Sequence, residues 1–130
     1  MTPVQAAAFW IGVNALFLIY VSYRVGRARI GTRTNLGDGG GNDIMVKAIR
    51  TQGNYIEYAP AALLGLFLLA ELGLGAIWIH LLGALFFFAR VSHLLGLGMD
   101  VWSKGRFIGT LLTMVTLLLT ALLLIWKAFS

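Results

Sequence analysis

An all-α integral membrane protein, an antiparallel bundle of four spanning helices, is the fold this sequence predicts, and three observations predict it. The 130-residue chain is 59% hydrophobic and only 12% charged. Its mean hydropathy is +0.86. The apolar residues gather into four segments, each near the roughly 20 residues that a hydrocarbon core about 30 Å thick demands. No room remains for a soluble domain beside them, so residues 1–130 read as one transmembrane domain.

The segments lie at about residues 4–24, 44–72, 74–97 and 106–127. The first has no basic residue ahead of its apolar run, and that run is longer than a secretory signal core of roughly 7–15 residues, so a retained helix is expected. The stretch Asn35–Asp43 follows, reading NLGDGGGND. Its glycines oppose helix, and Asn42 or Asp43 is placed to cap the second segment. The short connection at Gly73–Gly75 joins the second and third segments, and the fourth opens after MDVWSKGRF. Within the second segment Pro60 crowds the carbonyl of Ile56, which predicts a bend just past Glu57. In the fourth, Thr113, Thr116 and Thr120 share one face and predict a packed surface.

Orientation follows from the cations. Arg24, Arg27, Arg29, Arg33, Lys47 and Arg50 flank the first connection, Lys104 and Arg106 lie on the third, and none lies on the second. Connections one and three are therefore expected in the cytoplasm, with both termini on the opposite side. The net charge of +5 answers to orientation and anionic headgroups, and no aromatic-interleaved basic surface argues for nucleic acid. Without cysteine, neither disulfides nor a cysteine nucleophile is available. His80 and His93 are thirteen residues apart on one helix, too far to share a metal, so no metal site is expected.

The informative feature is polar. Lys47, Arg50, Asn54 and Glu57 recur at helical spacing on one stripe of the second segment and reach from its basic end about half way across the membrane. A charge at that depth costs roughly 2.5–3.5 kcal/mol on insertion scales, so the stripe is expected to face a partner helix, a water-filled slot or a ligand. Gln52 points away from Arg50, and Tyr58 flanks the stripe. On the third segment Arg90 and His93 sit one turn apart in the half nearest the basic connections. Arg90 is expected either to bond Glu57 or Asn54 across the bundle or to contact a ligand; His93 is expected to hydrogen-bond.

The run Arg50-Thr51-Gln52-Gly53-Asn54-Tyr55-Ile56-Glu57-Tyr58-Ala59-Pro60, with the Phe88-Ala89-Arg90 triplet, the basic end of the first helix and the four-helix plan, resembles the membrane-associated proteins in eicosanoid and glutathione metabolism, the MAPEG family. The GDGGGND stretch is similar to its small bacterial branch. The resemblance covers nearly the whole chain and implies a homotrimer in a bacterial inner membrane, with glutathione as co-substrate between adjacent subunits. It implies glutathione contacts from Arg50, Gln52, Asn54, Glu57 and Tyr58, with an arginine contributed from the end of the first helix (Arg27 by preference, Arg24 and Arg29 close behind), Arg90 and His93 nearby, and Arg106 or Lys104 as the cation that stabilises the thiolate. The implied activity is transfer of glutathione to a lipophilic electrophile, or reduction of a lipid hydroperoxide. Two other classes stay open: a non-catalytic membrane trimer that uses the stripe to lock subunits together, and a small transporter cycling protons through Glu57.

Overall fold

A computed structural model describes the whole chain, Met1–Ser130, as four α-helices with no strand. Helix α1 spans Pro3–Thr32. It opens on a capping box in which Gln5 N–H donates to Thr2 Oγ1 at 3.1 Å and Thr2 N–H donates to Gln5 Oε1 at 2.9 Å. Pro3 occupies the first turn, where its missing amide costs nothing. The helix runs about two turns past the end expected near residue 24. The apolar run stops at Arg24, but Val25 and Ala28 continue the inner face and pack on Met45 and Ala48, so the last turns are amphipathic and still docked. Arg33, in the left-handed region at φ 54°, ends it.

Helix α2 spans Asp43–Glu71, and Asn42 is its cap, its Oδ1 accepting from Met45 N–H at 3.2 Å. The chain stays helical through Pro60, so the proline expected to bend the helix past Glu57 does not end it. Both Pro60 and Ile56 are exposed, on a shallow apolar groove that α2 shares with Ile11, Ala15 and Leu18 of α1. Helix α3 spans Ala76–His93, passes into a π-helical turn over Leu94–Gly98, and is followed by α4 over Gly105–Ala128.

Helices α1 and α2 are antiparallel along their whole length. Ala6 and Ala7 pack with Leu66, Leu69 and Ala70 at one end, while Val25 and Ala28 meet Met45 and Ala48 at the other. Helices α1, α3 (with its π-turn) and α4 are long and apolar enough to cross a membrane by composition alone; α2 is long enough but is not among them. It packs end to end on α1. The middle layer joins Phe17, Val21, Tyr55, Ala59 and Phe86. There the Tyr55 hydroxyl donates to the Asn14 carbonyl at 2.9 Å, so a buried phenol is satisfied by backbone one helix away.

Glycines set three close approaches. Gly83 lies directly beneath the Trp10 ring, Gly65 faces Thr120, and Gly109 faces the carbonyl of Ala89 and the amide of His93. Trp10, deep on α1, donates to His80 Nδ1 at 3.1 Å, which satisfies both partners. Thr113, Thr116 and Thr120 are all buried, as their shared face predicts.

Only 32 of 130 residues are buried, and large apolar side chains such as Leu16 (68% exposed), Leu118 (60%) and Phe107 (71%) point outward. A surface of that kind is tolerated by lipid and not by water. The chain is an integral membrane protein.

The glycine contacts make a test. In Gly109→Ala the added Cβ would lie 2.5 Å from the Ala89 carbonyl oxygen and 2.6 Å from the His93 nitrogen, backbone atoms that cannot swing aside. A loss of about 1–3 kcal/mol is expected in detergent-phase unfolding. Gly12, with nothing within 4 Å, is the control: Gly12→Ala should hold stability or raise it by about 0.5–1 kcal/mol.

Candidate functional site

A pocket of about 440 Å3 opens between α2, α3 and α4 at the basic end of the bundle. Arg50 and Asn54 reach it from α2, His93 from α3, Leu97 from the π-turn, and Arg106, Phe107 and Thr110 from the first turns of α4. Its polar wall offers guanidinium and amide donors, and its lip is apolar. Arg50 Nη1 lies 3.6 Å from Glu57 Oε1, two turns further along α2. Both side chains are about half exposed, at 53% each, so this pair sits on the outer flank of α2 and leaves donors of Arg50 free toward the pocket.

Behind the pocket lies Arg90, only 1% exposed. Its Nη1 donates to Thr113 Oγ1 at 3.0 Å, its Nη2 donates to Asn54 Oδ1, and its guanidinium carbon stands 5.9 Å from the centre of the Tyr58 ring. Of the partners expected for Arg90, Asn54 is the one it takes, and Glu57 is not among them. Arg90 does not line the pocket. It therefore ties α2, α3 and α4 together, which is the structural one of the two roles expected of it. Tyr58 gives it a ring face, a contact worth more in a desolvated setting than in water.

His93 is 2% exposed and lines the pocket, but its ring makes no hydrogen bond, and Nδ1 is buried without a partner. The expected bond is thus absent. Arg50 and Arg106 share its pocket and can only donate.

The structure divides the remaining candidates. Gln52 Nε2 donates to Ser22 Oγ at 2.9 Å and is engaged with α1; it does not line this pocket. Lys47 also leaves the stripe. Its Nζ lies 3.1 Å from both Asp43 Oδ2 and Asp100 Oδ2. At 100° per residue the four stripe residues spread over roughly 80°, enough for Lys47 to lean toward α1 while Arg50 leans toward α4. Arg27 lines a separate groove of about 570 Å3 between α1 and α2, with Tyr20, Tyr23, Arg24 and Lys47, and shares no wall with the Arg50 pocket within one protomer. Lys104 stays outside the pocket, so of the two cations expected at the start of α4 only Arg106 lines it, opposite Arg50.

Leu97, Phe107 and Thr110 are lining residues that sequence reasoning missed. Phe107 and Leu97 carry no signal beyond hydropathy. Thr110 Oγ1 donates to its own Arg106 carbonyl at 2.9 Å, the ordinary habit of a membrane threonine.

Comparison with known proteins turns this geometry into a relationship. The model of the MAPEG family matches residues 7–126. The chain belongs to the MAPEG family. It is similar to Inner membrane protein YecN of Escherichia coli (strain K12), 32% identical over 123 residues that cover 94% of this chain and 92% of the relative. The same figures hold for Inner membrane protein YecN of Escherichia coli O6:H1 (strain CFT073). No solved structure matches. Family membership agrees with a four-helix membrane bundle whose polar residues concentrate on α2 and α3 at one end.

The Arg90 bridge predicts an asymmetric mutational response. Asn54→Ala removes an acceptor from a buried guanidinium and should cost about 1–3 kcal/mol of stability in detergent. Asn54→Asp keeps an acceptor and should retain most of it. Thermal unfolding of the two variants side by side reads the difference, and equal losses would count against the bridge.

Proposed function

We propose that this protein binds glutathione in the Arg50–Arg106 pocket and transfers it to lipophilic electrophiles, or uses it to reduce lipid hydroperoxides. The observation that carries this reading is the charge pattern of the pocket: Arg50, Asn54, His93 and Arg106 converge on one cavity, with Glu57 beside it at the end of an ion pair. Glutathione has two carboxylates, one ammonium and a thiol. The arginines complement the carboxylates with forked donors, and Glu57 complements the ammonium. MAPEG membership supports the choice of ligand.

The chemistry asked of the residues is modest. A guanidinium near the sulfur lowers a thiol pKa from about 8.5 and raises the fraction of thiolate, the attacking species. Arg106 is the residue placed for it. Leu97 and Phe107 form the apolar lip over which a lipophilic acceptor enters from the bilayer, and conjugation or peroxide reduction follows at the sulfur.

The outer flank of α2 supports an assembly of copies. A half-exposed Arg50–Glu57 pair facing lipid would meet the penalty that ionisable groups incur in a membrane, and a second copy of this chain covering that flank removes it. The homotrimer implied by the family plan is our reading of that assembly. It would bring Arg27 of an adjacent subunit toward the pocket that its own protomer keeps it from. The clustering of cations at the α1–α2 and α3–α4 connections supports placing those connections in the cytoplasm. The relative's designation as an inner membrane protein supports the same compartment.

Thermal shift of detergent-solubilised protein tests the ligand. Glutathione and its S-hexyl derivative should both raise the midpoint, and a glutathione lacking the γ-glutamyl amine should raise it much less. Glu57→Gln and Arg50→Ala should each weaken glutathione binding about tenfold or more by calorimetry, since each removes one charge-assisted contact. A flat response to all three ligands would instead favour a non-catalytic membrane scaffold.

A further inference from the structure

The connection between α3 and α4 is tied to the other two helices by cations. Arg24, on α1, donates from Nη2 to the Gly98 carbonyl at 2.7 Å, a short charge-assisted bond to the last residue of the π-turn. Lys47, on α2, holds Asp100 at 3.1 Å. Asp100 itself sits in the left-handed region at φ 58°, a conformation that costs an ordinary side chain about 1–2 kcal/mol and persists where contacts hold it. Thr51 of α2 closes on Gly98 from below, where an added Cβ would come within 3.0 Å of its hydroxyl.

The same π-turn also touches Arg106. Gly96, two residues before Gly98, packs against the backbone nitrogen of Arg106 so closely that no Cβ fits between them. Ser92 Oγ, just before the turn, donates to the Gly105 carbonyl at 2.9 Å. The five-residue turn thus has the α1 cation on its last residue, the α2 cation on Asp100 two residues beyond it, and the backbone of the pocket arginine against its middle residue, Gly96. As stability devices the ties are weak, since exposed ion pairs contribute about 0–1 kcal/mol. Their geometry is what distinguishes them.

We propose that Arg24 and the Lys47–Asp100 pair are positioning residues for Arg106: they fix the π-turn, and the π-turn fixes where the Arg106 guanidinium stands in the pocket. Arg24 is then a tie inside the protomer. The inference rests on the reading of Arg106 as the cation beside the glutathione sulfur. In that step the S–H bond breaks, the electron pair stays on sulfur and the proton leaves to water through the pocket mouth. The guanidinium favours the thiolate only while it stays within about 4–6 Å. Loosening the turn lets it drift beyond that range.

The test is a pH titration of thiolate ultraviolet absorbance with bound glutathione, on full-length protein in detergent, alongside calorimetry. Arg24→Met and Asp100→Asn should each raise the apparent thiol pKa by about 1, cutting the thiolate fraction near neutral pH up to about tenfold. Glutathione affinity should change much less, by about twofold. Arg24→Lys, which can still donate to one carbonyl, should restore the wild-type curve. Variants that lose thermal stability or affinity while the titration curve stays put would overturn the proposal. So would a Lys variant as defective as the Met variant. Wild-type protein that binds glutathione but forms no thiolate would sink the catalytic reading and this inference together, whereas a wild-type thiolate untouched by Arg24→Met and Asp100→Asn would sink this inference alone.

Discussion

A guanidinium enclosed by three helices constrains everything else in this bundle. Arg90 cannot be left dry and unpaired, so Asn54 and Thr113 must come to it, and with them α2 and α4. That requirement sets the rotation of α2 about its axis. Once Asn54 turns inward, Arg50 and Glu57 fall on the neighbouring strip of the same helix, and the pocket opens where Arg50 looks past α3 toward Arg106. The threonine face of α4 is consistent with the same demand: Thr113 serves Arg90, while Thr116 returns its proton to its own helix at Leu112. Buried ionic groups of this sort add specificity of arrangement more readily than net stability.

Much of this was legible in the residues. Apolar length located four helices, the Thr113, Thr116 and Thr120 spacing located a buried face, and the pairing of Arg90 with Asn54 was one of two partners that depth and spacing allowed. The wheel also turned Gln52 away from Arg50, and its bond to Ser22 obeys that geometry rather than its place in the family signature. What hydropathy could not see was the end of α1, because a helix whose outer face turns basic stops being apolar long before it stops being helical. Nor could it see Lys47 leaving the stripe. That choice depends on Asp100, far away in sequence and presented by a left-handed turn that no local pattern announces.

The separation of Arg27 from Arg50 matters for how a site of this kind works. One protomer supplies a donor-rich half-pocket and, on another flank, a basic groove with two tyrosines. An arrangement of copies that set one beside the other would place the site on a seam, where a ligand touching both sides reports on assembly as well as on charge. The ion pair left open on α2 gives the proposed seam a physical motive.

The wedge of the Trp10 indole onto Gly83 gives the molecule two unlike ends. That end is held by shape, through ring against backbone and the Ile79 and Leu82 layer, and dissolved ions have little to act on there. The opposite end is laced by exposed charges, which counterions screen within a Debye length of about 8 Å at physiological ionic strength. Electrolyte therefore softens the chemical end alone, while bilayer thickness and lipid order bear chiefly on the aromatic one, so two independent environmental dials act on a single short chain.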